Sequence, residues 1–128
     1  MALEKDRLDR SYQYGRMLAL MEKAERDAYH NGEKREPNAM RMQSVFVRKP
    51  FTTANNVIKM LKVAYYPQLK PGQRVFYERE LMNVFHMLSE CGEAESDKPL
   101  TAAYLFGYYL QKEELYMSTK ENREDEQE

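Results

Sequence analysis

"SYQYGRMLALMEKAERDAYHNG", residues Ser11 to Gly32, decides the fold class. Tyr14, Met17, Leu18, Met21, Ala24 and Ala28 recur at intervals of three and four residues, which places them on one face of a helix. Arg16, Glu22, Lys23 and Glu25 fall on the other side and are expected to face water. The pattern runs from about Leu3 to Tyr29. "HNG" ends it, because Asn31 and Gly32 tolerate the backbone that stops a helix. Gly15 weakens this helix by about 1 kcal/mol against Ala, and it also leaves room for another backbone to come close.

The same spacing continues outward. Pro37 suits the first turn of a second helix reaching about Lys49. Pro50 removes a backbone donor and disfavours helix at the residue before it, so a break is expected there. Thr52 or Thr53 can cap a third helix through about Tyr66, with Ala54, Val57, Ile58, Leu61 and Tyr65 inward. "YPQLKPG" reads as a loop. A fourth helix spans about Gln73 to Glu90, burying Val75, Phe76, Leu81, Val84, Phe85 and Leu88. After the linker "CGEAESDK", Asp97 with Pro99 two residues later resembles a helix start. The fifth helix then runs from about Pro99 to Met117 and buries Leu100, Ala103, Tyr104, Gly107 and Leu110. "STKENREDEQE" contains no apolar residue and is expected to be disordered. No strand and no repeat is legible. The expectation is all-α: a compact bundle of about five helices, residues 1–118 forming one domain and 119–128 a disordered acidic tail.

Composition excludes several classes. A chain of 128 residues fits one domain and can bury a core without staples. Its single cysteine, Cys91, forbids an intrachain disulfide and fits a reducing compartment. "MALEKDRLDR" puts charge where a signal peptide needs apolar residues, and no run approaches the roughly 18 apolar residues of a membrane span. The expected location is cytoplasmic, without a membrane partner. His30 and His86 stand far apart, no Cys/His spacing suggests zinc, and no glycine-rich loop suggests phosphate chemistry. No catalytic residue, metal or cofactor is expected, and the chain reads as a non-enzyme.

Charge carries the functional signal. The net charge is −1, but it is unevenly spread. Residues 1–33 carry net −1, residues 34–74 net +8 and residues 75–128 net −8. From Pro37 to Tyr77 there is no acid at all. At 100° per residue, Thr52, Asn55, Lys59 and Lys62 fall within about 80° of each other on the third helix, away from Val57, Ile58 and Leu61. On the second helix Arg41, Ser44 and Arg48 form a similar stripe, and Lys49 adjoins it. A charged helical face is often only a solvated one, but solvated faces interleave both signs. Lys and Arg neutralise phosphates without reading sequence, and Ser, Thr and Asn donate hydrogen bonds to phosphate or sugar. The candidate nucleic-acid-binding residues are therefore Arg41, Ser44, Arg48, Lys49, Thr52, Asn55, Lys59 and Lys62. The alternative is a protein–protein scaffold without nucleic-acid contact, in which the basic middle of one subunit meets the acidic end of another. Tyr104, Tyr108 and Tyr109 sit at core spacing and read as packing or subunit contacts.

Four strings are distinctive: "LDRSYQYGRMLALMEKAERDAY" (8–29), "EKREPNAMRMQSVFVRKP" (33–50), "AYYPQLKPGQRVFYERELM" (64–82) and "KPLTAAYLFGYYLQKEELY" (98–116). They resemble the C-terminal region of the large subunit of the type I-C CRISPR Cascade complex. A chain of this length that begins with Met just before that region resembles the small subunit of the same complex. The resemblance implies a helical bundle present in several copies, with the large subunit, the backbone subunits and further copies of itself as partners. It also implies contact with the guide RNA–target DNA duplex and the displaced DNA strand, and leaves cutting to a recruited nuclease. It assigns no role to individual lysines.

Overall fold

The structure is a computed structural model that describes residues 2–31, 42–92 and 95–126, with side chains as far as Met117. Among these residues every regular element is helical. Five α-helices follow in order: α1 Arg10–His30, α2 Gln43–Arg48, α3 Pro50–Met60, α4 Pro71–Cys91 and α5 Ala103–Glu126. A π turn (Leu61–Tyr65) and a 3₁₀ turn (Tyr66–Gln68) join α3 to α4. The expected helical bundle is what forms.

α1 is the axle of the bundle. α5, α4 and α3 with its π turn all pack on it, and every residue from Ser11 to Glu22 is buried. Arg16, Glu22 and Glu25, expected to face water, are instead inside, at 0%, 4% and 0% exposure. Buried charge needs partners, and α4, α5 and the N-terminal segment supply them to Arg16 and Glu22. Arg16 Nε donates to Gln111 Oε1 (2.9 Å), and its Nη1 donates to Gln13 Oε1 (2.8 Å), Asn83 Oδ1 (3.0 Å) and the Lys5 carbonyl (3.2 Å). Glu80 lies 3.6 Å from Arg16 Nη2 and 3.3 Å from Lys5 Nζ. Burial pulls Arg16 below its ordinary pKa, against the pull of Glu80. Glu22 accepts the Tyr108 hydroxyl at 2.6 Å.

That network explains why α1 starts late. Residues 3–9 do not form the helix expected from Leu3. They run beside α1, where the Lys5 and Arg7 carbonyls accept from Gln13 Nε2 (3.3 and 2.8 Å) and the Tyr12 hydroxyl accepts the Glu4 N–H (3.0 Å). Asp9 then caps α1 by accepting the Tyr12 N–H at 3.2 Å.

α1 and α5 cross at two glycines. A Cβ on Gly15 would overlap the Tyr104 carbonyl and lie 2.9 Å from the Tyr108 nitrogen; one on Gly107 would overlap the Tyr12 carbonyl and lie 2.8 Å from its carbon. The close approach anticipated at Gly15 is made by α5, and Gly107 answers it from the other side.

Other boundaries shift for local reasons. Tyr77, Leu81, Val84 and Leu88 form the inward row of α4, whereas Val75, expected inside, is 62% exposed. The Tyr77 hydroxyl donates to Asp27 Oδ2 at 2.5 Å. The break before Pro50 occurs as expected. α3 then passes into the π turn at Leu61, so the single helix expected to Tyr66 is three kinds of turn. The helix start expected at Pro37 lies outside the described residues. α5 begins at Ala103 rather than Pro99, and its helical backbone runs past Met117 to Glu126. Glu, Lys, Arg and Gln favour such an extension. The disorder expected at 119–128 concerns residues whose side chains lie outside the description.

Candidate nucleic-acid interface

Two buried anchors orient the basic elements. On α2, Phe46 is fully buried and meets Tyr14 of α1 edge-on, with ring centroids 5.9 Å apart. On α3, Thr53, Ala54 and Val57 are buried, followed by Leu61 in the π turn. Fixing these inward side chains sends the rest outward. Ser44, Arg48, Lys49, Thr52, Asn55, Lys59 and Lys62 are all exposed, as the helical spacing required. Arg41, the remaining candidate, lies outside the described residues.

Among the described residues no ion pair within 4.0 Å joins a carboxylate to Arg48, Lys49, Lys59 or Lys62. By contrast, Arg26, Arg74 and Lys112, elsewhere on the surface, do have acidic neighbours. Asn56 and Val63 are also exposed, the valine at 75%, and widen the outward side of α3 and its π turn. Sequence spacing puts both just past the edge of the stripe formed by Thr52, Asn55, Lys59 and Lys62, but neither carries the charge that singled out the lysines.

One candidate is already engaged. Asp97 Oδ1 accepts the Thr52 N–H at 2.9 Å, and Asp97 Oδ2 accepts the Thr52 hydroxyl at 2.5 Å. The Thr52 hydroxyl and N–H hold the Asp97 carboxyl below its ordinary pKa, with smaller help from the Phe51 N–H and the charge of Lys49. Folding therefore brings one acid to a segment whose own sequence has none. Asp97 had the chemistry of a helix cap, but the helix it caps is α3, 45 positions earlier in the chain, and no sequence pattern couples the two.

The aromatic residues divide. Tyr108 is buried, while Phe106 and Tyr109 are 56% and 58% exposed and share the outward side of α5 with Leu105. No group of His, Cys, Asp or Glu suited to a metal occurs among the described residues. None of the described helices is long and apolar enough to cross a membrane.

The sequence model of the CRISPR-associated protein (Cas_Csd1) family matches residues 1–116. The chain belongs to that family. The match spans α1 to α4 and most of α5, so the basic helices and the α1–α5 crossing both lie inside the family region. Neither a curated protein nor a solved structure matches the chain.

Proposed function

We propose that this CRISPR-associated chain is the non-catalytic small subunit of a type I-C Cascade complex, and that α2 and α3 lie along nucleic-acid backbone. The carrying observation is the outward set Arg48, Lys49, Asn55, Lys59 and Lys62, which has no ion pair to a carboxylate among the described residues. In a cytoplasmic complex with the large subunit, backbone subunits and further copies, this face would bear on the guide–target duplex and the displaced strand. Guide–target pairing nearly balances the DNA duplex that it replaces. A few phosphate contacts per copy therefore suffice to favour the opened state, once the assembly holds them in place. Binding by the isolated chain would be weak and steeply salt-dependent.

A second reading has its own support. The exposed Leu105, Phe106 and Tyr109 suit a protein contact, consistent with a scaffold subunit that touches no nucleic acid. Charge reversal separates the two. With Lys59→Glu and Lys62→Glu together, the complex assembles with its normal stoichiometry and binds target DNA about tenfold more weakly at low salt. Loss of this subunit from the purified complex instead favours the scaffold.

A further inference from the structure

α3 begins without a cap of its own. Lys49 precedes it, and its side chain makes no capping hydrogen bond. Pro50 at the first position has no N–H to satisfy, but the N–H groups that follow do need acceptors. The Thr53 N–H is satisfied locally by the Lys49 carbonyl at 3.1 Å. The Thr52 N–H takes Asp97 from a distant loop.

That loop is itself held at both sides of Asp97. Arg10 of α1 donates from Nη2 to the Ser96 carbonyl at 2.6 Å and to the Lys98 carbonyl at 3.0 Å. The Leu100 N–H bonds the Val47 carbonyl of α2 at 2.9 Å, and the Thr101 N–H bonds Ser11 Oγ of α1 at 2.9 Å. Residues 96–101 thus form a strap that ties the start of α3 and the end of α2 to the first turn of α1.

We infer that Asp97 is a positioning residue for the basic face: from a strap gripped by Arg10, its carboxylate fixes the first turn of α3 and so sets where Lys49, Asn55 and Lys59 point. The inference rests on the nucleic-acid reading and deepens it. It also predicts an effect opposite in sign to that of plain electrostatics. A carboxylate near Lys49 repels a polyanion, so if charge were its whole effect, removing it would strengthen binding whatever replaced it. If positioning is its role, the outcome depends on whether the replacement still caps.

Asn caps about as well as Asp, and Ala does not. Asp97→Asn therefore keeps the acceptor and loses the charge, whereas Asp97→Ala loses both. In the purified complex, Asp97→Asn binds target DNA at least as tightly as the wild type, and Asp97→Ala binds about fivefold more weakly than Asp97→Asn, the factor expected for loss of one cap. Hydrogen exchange of the peptide covering 50–54, measured in the same complexes, speeds up in Asp97→Ala and stays protected in Asp97→Asn. Equal binding by the two variants, or unchanged exchange in Asp97→Ala, overturns the positioning role. If Lys59→Glu with Lys62→Glu also binds like the wild type, the nucleic-acid reading itself fails; if that pair still weakens binding, only the role of Asp97 is lost.

Discussion

Gly15 and Gly107 are where one atom decides most. Each faces the backbone of the opposite helix, which cannot move aside as a flexible side chain would. Gly15→Ala or Gly107→Ala should destabilise the chain by about 3 kcal/mol, the upper part of the range for overpacking, and more if α1 and α5 separate. Urea unfolding would measure it. An unchanged midpoint would mean that the two helices do not cross this closely. Arg16 is a third such residue, with no exposed surface and partners on α1, α4, α5 and the N-terminal segment. Arg16→Ala strands Glu80, Gln111 and Asn83 together and should cost about 3–5 kcal/mol, read by the same unfolding curve. A cost below about 1 kcal/mol would show that water replaces the guanidinium without penalty.

At the scale of elements, helices were legible and their polar partners were not. The period of three and four residues found α1, α3, α4 and α5, because each turns a consistent apolar row inward. It placed Arg16 and Glu22 in water, because they lie off that row. Their partners on α4 and α5 stand 64 to 95 positions away for Arg16 and 86 to 90 for Glu22, and spacing within one helix carries no information about those. The basic stripe was legible for the converse reason: exposure follows directly from where Val57 and Leu61 point. Missing from the sequence reading was the acid that folding brings to Thr52. That clasp has a pH signature. The carboxyl of Asp97 is held below its ordinary value of 3.8. Its contribution to the start of α3 is therefore full above that value and is lost as pH falls through the lower, folded value. Hydrogen exchange of residues 50–54 should stay slow down to about pH 4 and lose its protection below that in the wild type, whereas Asp97→Asn should show no such transition.

Across the whole molecule, tyrosine and charge set the limits. Burial pushes Tyr66 up to about 12 and raises Tyr77 and Tyr108 as well, the latter two also through their hydrogen bonds to Asp27 and Glu22. In the unfolded chain these phenols ionise near their ordinary value of 10.0. The stability they supply is thus complete below about pH 10 and falls as pH rises through the folded values, so melting temperature should drop steeply on the alkaline side. The separation of charge into a net +8 segment and a net −8 segment is a property of the complete chain. On the proposed function, this is the source of the local field that draws in a polyanion although the net charge is only −1. Salt titration of target binding by the assembled complex tests that field most directly. Lys59→Gln with Lys62→Gln should flatten the slope of log K against log salt by about 0.7–0.9 for each phosphate that a copy no longer neutralises, with assembly unchanged. The same slope and the same affinity in wild-type and doubly neutralised complexes would contradict the account.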